Sequence, residues 1–545
     1  MAERHPPLPP LNEGGENTKR PNLLLLLADD MGYSDIGCFG AEIRTPHLDQ
    51  LAAGGLVFSQ AYNCARCCPS RAALITGLYP HQAGIGHMVQ DFGLPGYQGR
   101  LSANCVTLAE LLGRAGYLTG LTGKWHVGGF WSRNPKHRGL WTFGDPTRPL
   151  PTDRGFDRFW GNPAGGGSYF NVMPLVAQDR IIDPPEGFYT TNDYTTAAIR
   201  IMEEAAGRGQ PFFVHLCYNA PHWPLHALPE DIARYRGQYL KGWDAVRGAR
   251  HEELKRRGLL DPRWPISARD EQVPAWEDAR LREWEDARMA VYAAQVDCMD
   301  RNIGRIVARL KELGALDNTL MVFVSDNGGS AEFLAENGRR EHEAPLTRDG
   351  RPVRIGNIPG LEPGGPDTFM SYGRPWANAS NAPFRLFKSW VHEGGISTPL
   401  IAHWPQGIRG GVTHEVCHFI DIAATLLEVG GAGYPGEFNG RPVTPLEGES
   451  FAPLLAGRPW TRRQPLYFEH EGNAAVRHGR WKVVRRRPGP WELYDMVEDR
   501  TELRNLAEAD PGRVAELGKL YDAWAARCGV APWEEVNKRR AQIKA

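Results

Sequence analysis

The sequence predicts an α/β fold: a large mixed, mostly parallel sheet sandwiched by helices, followed by a smaller C-terminal α+β domain with a four-stranded antiparallel sheet and a helix. Three observations predict it. The runs 22–28, 211–218 and 319–325 are apolar without alternation, as expected of strands covered on both faces of a parallel sheet. Helical stretches at 107–115, 194–207 and 288–313 separate such runs, and strand alternating with helix is the α/β pattern. Beyond about residue 445 the pattern changes to short strands at 465–470, 474–477, 481–485 and 491–495, separated by turn pairs such as His478-Gly479 and Pro488-Gly489, before a helix over 511–526.

In chain order, residues 1–21 are rich in Pro, Gly, Glu and Asn with little to bury, and read as a flexible leader. Residues 22–445 form the expected large α/β domain, and 446–545 the C-terminal domain. Within the first, the inserted segment at about 229–288 is charged, Trp-bearing and helical in pattern, either a solvated surface subdomain or a wall of a cleft. Residues 328–383 lack a period and abound in Gly, Pro and Asn, and a loop this long is usually functional or disordered. Since it hangs from Asp326-Asn327, a role in shaping the cleft is expected.

Composition narrows the function. Lys plus Arg is 63 against 64 for Asp plus Glu, a net charge of −1, so no basic excess exists to bind nucleic acid. The aliphatic run at 23–28 is cut by two aspartates, whereas a membrane span needs about 20 apolar residues and a signal core about 7 to 15. No membrane partner and a cytoplasmic location are the expectations. Nine cysteines, an odd count in a long chain, argue against a disulfide scaffold.

Two of the apolar runs end in polar pairs, Asp29-Asp30 and Asp326-Asn327, and the third leads into Asn219-Ala220-Pro221-His222. In open α/β sheets, ligands sit beyond the carboxyl ends of strands. Taken alone, an Asp-Asp pair is a turn or a helix cap. Two such pairs place like charges together, which is costly without a cation, and an all-oxygen set suits Ca²⁺ or Mg²⁺ rather than Zn²⁺.

The segment Cys67-Cys68-Pro69-Ser70-Arg71, followed by Thr76-Gly77, resembles the C-x-P-S-R-x-x-x-x-T-G signature of the sulfatase family. Gly123-Lys124-Trp125-His126-Val127-Gly128 is similar to that family's G-K-W-H-x-G segment, and a phosphate loop is excluded there by Leu118 and Trp125. Lys124 and His126, two apart on a strand-like segment, are expected to face one cleft. Ala220-Pro221-His222-Trp223-Pro224 resembles the A-P-H-x-P turn, and Lys388 to Gly395 the K-x-x-x-x-E-G-G segment. The rival for Cys64-Ala65-Arg66-Cys67, a redox pair or half of a zinc site, lacks a second C-x-x-C.

The resemblance covers most of residues 22–404 and implies the alkaline phosphatase superfamily architecture, hydrolysis of small-molecule sulfate esters of the arylsulfatase type, and conversion of Cys67 to formylglycine (3-oxoalanine) by a formylglycine-generating enzyme. It implies Ca²⁺, with Mg²⁺ as the other candidate, held by Asp29, Asp30, Asp326 and Asn327. The hydrated aldehyde would be the nucleophile, Lys124 and Lys388 would neutralise sulfate oxygens, His222 would assist the leaving group, and Arg71 and His126 would orient the hydrate. Where that family usually has Thr or Ser after the modified cysteine, this chain has Cys68. The alternative within the superfamily is a phosphonate monoester or phosphodiester hydrolase; outside it, a non-catalytic anion-binding protein whose Cys67 stays a thiol. Nothing in the sequence sets the oligomeric state.

Overall fold

The computed structural model describes residues 20–134, 136, 139, 141–336 and 344–544, so the expected leader lies outside the described residues except at its last two positions. Twelve strands precede residue 420: β1 (Asn22–Asp29), β2 (Leu56–Tyr62), β3 (Leu118–Lys124), β4 (Arg158–Asn162), β5 (Leu175–Ala177), β6 (Arg180–Ile182), β7 (Phe212–Pro221), β8 (Thr319–Ser325), β9 (Arg354–Ile355), β10 (Thr368–Phe369), β11 (Ser397–His403) and β12 (Gly411–His418). Ten of them form one sheet in the order β12-β2-β11-β8-β1-β7-β3-β4-β5-β6, and β9 pairs with β10 separately. The sheet is parallel except where β11 runs against β2 and β8, and where β5 runs against β4 and β6.

β1 lies at the centre, with Leu24 paired to Val214 on one side and Met321 on the other. Its five leucines are wholly buried. Because side chains alternate across a strand, Leu23, Leu25 and Leu27 pack with residues of the helices Cys67–Thr76, Leu108–Arg114 and Phe419–Val429, while Leu24 and Leu26 pack with those of Pro46–Ala53, Thr190–Arg208 and Arg282–Glu312. An uninterrupted leucine run is thus what a strand with two cores requires. Thr107 starts the helix Leu108–Arg114 through a capping box, accepting from the Glu110 amide at 3.1 Å while Glu110 accepts from the Thr107 amide at 2.7 Å.

The C-terminal region adds the hairpin β13 (Glu437–Phe438) and β14 (Arg441–Pro442), then β15 (Leu466–His470), β16 (Asn473–His478), β17 (Trp481–Arg485) and β18 (Trp491–Asp495) as an antiparallel sheet backed by the helix Pro511–Cys528. Its buried residues, among them Val476, Val483 and Trp524, belong to the same apolar cluster as Leu23 and Leu74, so the small sheet shares a core with the large one. No helix among the described residues is long and apolar enough to cross a membrane.

Three expectations are corrected. The segment at 229–288 is no solvated subdomain: Trp243 packs edge-on to Trp276 at 4.7 Å and to Trp376 at 5.7 Å, and buried Arg250 pairs with Asp35 at 2.6 Å and Glu42 at 2.9 Å. The described part of 328–383 (328–336 and 344–383) is not structureless, since it carries β9, β10 and the helix Gly373–Ser380; two-residue strands and an eight-residue helix are too short to show a period. His126 is not on a strand: β3 ends at Lys124, and His126 takes a left-handed backbone with φ of 56°.

Candidate active site

The carboxyl ends of β1, β3, β7 and β8 converge, and the residues expected of the site meet there. Asp29 ends β1, and Asp30 turns the chain in a left-handed conformation. The Asp30 amide donates to Asp326 Oδ1 at 3.2 Å, and Asn327 Nδ2 donates to Asp30 Oδ1 at 2.7 Å. Gly328 lets the chain leave beneath this pair, because a Cβ there would lie 2.0 Å from the Gly394 carbonyl oxygen.

Cations interleave with these acids. Lys124 Nζ lies 2.6 Å from Asp29 Oδ2, Lys388 Nζ 2.7 Å from Asp30 Oδ2, and Arg71 Nη2 2.8 Å from Asp326 Oδ2. Arg71 also donates to the Lys124 carbonyl at 2.8 Å, tying the helix Cys67–Thr76 to the end of β3. His222 Nε2 stands 3.4 Å from Asp30 Oδ2 with its Nδ1 against the Trp223 carbonyl. Of the ten non-glycine residues with positive φ among the described residues, Asp30, Ala65, His126 and Ser389 surround this site, and strain concentrated in this way is a mark of functional sites.

Cys67 opens its helix, where the dipole favours an anion. A hydrogen bond from Cys68, against the opposing effect of burial and with help from Lys124 and His126, holds the Cys67 thiol well below its usual value; burial pushes that of Cys68 well above. Cys64, Cys67 and Cys68 are all free thiols, so the redox-pair reading has no disulfide behind it. Burial holds His126 down at about 3 and lowers His222, leaving both neutral near pH 7.

The acids are under strain. Burial first, and then Asp326, raises Asp29 to about 7, and burial raises Asp326 despite Arg71. Asp29 Oδ1 and Asn327 Oδ1 are buried without a protein hydrogen-bond partner. Two orphaned oxygens among crowded acids are what a hard cation would satisfy. The residues present therefore fit Ca²⁺ or Mg²⁺, and Cys67, only 1% exposed between Lys124, His126 and Arg71, sits in a cradle suited to an oxygen nucleophile.

One residue that sequence reasoning missed stands beside the site. Glu332 accepts from Arg66 at 3.1 Å, from the Trp223 indole at 2.7 Å and from Lys388 at 3.3 Å. Despite burial, Lys388 and Arg66 hold its carboxyl well below the usual range. Its sole sequence signal was nearness to Asp326-Asn327.

Comparison with known proteins decides the family. The model described as Sulfatase matches residues 21–432. The chain belongs to the sulfatase family. A second model, N-sulphoglucosamine sulphohydrolase, C-terminal, matches residues 384–518. An uncharacterized sulfatase of Schizosaccharomyces pombe is 33% identical over 94% of this chain and 95% of its own length. An arylsulfatase of Klebsiella aerogenes is 33% identical over 82% of this chain and 95% of its own. Human arylsulfatase A is 29% identical over 85% of this chain and 74% of its own. The solved structure titled Ps i-CgsB superposes with a TM-score of 0.66 at 25% identity, covering 93% of each chain. The phosphonate monoester hydrolase of Agrobacterium radiobacter, at 0.54 and 22% over 93% of this chain and 95% of its own, shares the fold alone. This sulfatase is accordingly a sulfuric ester hydrolase of the alkaline phosphatase superfamily.

Proposed function

We propose that this sulfatase hydrolyses sulfate monoesters of the arylsulfatase type with formylglycine at position 67, and that Asp29, Asp30, Asp326 and Asn327 hold a divalent cation, Ca²⁺ with Mg²⁺ as the other candidate. The observation that carries the reading is the pair of orphaned oxygens, Asp29 Oδ1 and Asn327 Oδ1, beside a cysteine at a helix start flanked by Lys124 and His126. When bound, the cation offsets negative charge on a sulfate oxygen and acidifies the hydroxyl it touches. The aldehyde hydrate supplies an oxygen nucleophile and a second hydroxyl.

The chain's own residues do the rest. Lys124 and Lys388, anchored on Asp29 and Asp30, bind the remaining sulfate oxygens. Asp326, fixed by Arg71, accepts the attacking hydroxyl's proton at a carboxylate oxygen. His222 gives a proton to the departing oxygen from Nε2, helped by Lys388 on the shared Asp30 oxygen; the anionic substrate must first raise the histidine's lowered pKa. His126, held neutral, takes the proton whose loss releases sulfate and restores the aldehyde.

The nine cysteines, all unpaired, support a reducing compartment and hence a cytoplasmic location. Maturation then requires a partner enzyme that oxidises Cys67. Intact-mass analysis of the peptide spanning 67–71 tests the reading: conversion exchanges sulfur and two hydrogens for one oxygen. A fully active preparation that retains the thiol would overturn it.

A further inference from the structure

A second group of metal-ligating side chains lies outside the acids of the reaction site. His87, on the loop after the helix Cys67–Thr76, and His470 and Glu471, at the turn from β15 to β16, bring one nitrogen or oxygen each to within 4.8 Å of one another. The rings of His87 and His470 are nearly parallel, 9° apart in plane with centroids 5.4 Å apart. His87 Nε2 lies 3.0 Å from Glu471 Oε1.

The unpartnered atoms say more than the proximity. His470 is wholly buried, yet neither ring nitrogen has a hydrogen-bond partner, and His87 Nδ1 is orphaned as well. Three buried nitrogens without partners are a standing cost in a native fold. Glu471 holds a left-handed backbone, φ 53°, that aims its carboxylate back at His87.

We propose that His87, His470 and Glu471 bind a divalent cation of the borderline class, Zn²⁺ in type, with water completing the coordination. Two imidazoles and one carboxylate form a nitrogen-rich set that suits zinc and contrasts with the all-oxygen set at Asp29 and Asp30. Burial holds His470 at about 3, so its lone pair is free at neutral pH. The side-chain surface of Glu471, 34% exposed, gives the cation an entry path. Arg540, 4.0 Å from Glu471, and Arg66, which also acts on Glu471, are the positive groups facing the trio; they weaken the site without filling it. A cation here would staple the loop of His87 to the small sheet and, through Trp533 at 5.3 Å from His87, to the helix Trp533–Lys544. The proposal does not rest on the hydrolytic mechanism.

The test uses Co²⁺ as a visible stand-in for Zn²⁺, added to the full chain in excess Ca²⁺, with bound metal counted by elemental analysis. The wild type is expected to bind one Co²⁺ with a ligand-field spectrum free of thiolate charge transfer. His470→Ala and the shape-conserving Glu471→Gln are expected to lose it while keeping the wild-type circular dichroism. No bound Co²⁺ in the wild type overturns the proposal. So does binding that survives both substitutions, or that shows a thiolate band, which would place the ion at Cys67, Cys68 and His126 instead.

Discussion

Two of the buried charge clusters in this molecule contrast, one closed and one open. At the seam between the sheets, Glu393 accepts from Lys482 at 2.8 Å, Arg500 at 3.1 Å, Ser397 at 2.8 Å and Tyr62 at 3.1 Å, while Glu502 accepts from Lys482 at 2.7 Å and from the Glu393 amide at 3.0 Å. Two acids meet two cations, none of these four side chains has an orphaned atom, and the Glu393 carboxyl sits at about 2 because Lys482 and Arg500 outweigh its burial. At the active site three acids meet three cations at similar distances, yet oxygens are left over and Asp29 rises to about 7. The same residue types thus do opposite things. A satisfied network holds two sheets together; an unsatisfied one stores affinity for a ligand.

Substitutions should separate the two. The largest effect is expected from Cys67→Ser, which on the proposed mechanism lacks the second hydroxyl: the serine is sulfated at most once, one equivalent of alcohol leaves, and the sulfate stays bound to the enzyme, with melting unchanged. Continuous turnover in a sulfate-release assay would break the distinction. Next, Lys482→Met strands two buried carboxylates and should cost about 3–5 kcal/mol, read by denaturant unfolding, while the remaining folded protein keeps its activity. His222→Ala should slow poor leaving groups by about 10²-fold and good ones far less, with stability nearly intact. Equal slowing of both would remove His222 from the leaving-group side.

How much of this was legible in the sequence follows from the same contrast. The apolar runs of β1, β7 and β8 and the motifs around Cys67, Lys124, His222 and Lys388 are local signals, and the structure brings those residues together. Within the segment from Lys388 to Gly395, however, the lysine reaches Asp30 in the open cluster whereas Glu393 turns to Lys482 and Arg500 in the closed one. No spacing rule separates those roles, because the partners lie 89 and 107 positions away. Glu332 was hidden for the same reason: Arg66, Trp223 and Lys388 find it only through the fold. The strand-like reading of His126 failed since its left-handed turn depends on tertiary contacts, which override a two-residue alternation.

The smallest expected effect is the sharpest probe of the open cluster. In cation-free protein Asp29 keeps its proton up to about 7, whereas the unfolded chain releases it near 3.8. The folded state binds the extra proton between those values, so this group's contribution to stability falls as pH rises from about 4 to 7. A bound cation cancels that fall, because it stabilises the ionised carboxylate. A neutral amide escapes that loss, so Asp29→Asn should leave the protein in chelator at pH 7 no less stable than the wild type while abolishing the stabilisation that added Ca²⁺ gives the wild type. Melting curves with and without Ca²⁺ across this pH range isolate the effect, since buried histidines such as His215 and His418 contribute equally to both. A Ca²⁺-induced shift that survives Asp29→Asn, or that shrinks as pH rises, would mean that the orphaned oxygens are not where the cation binds.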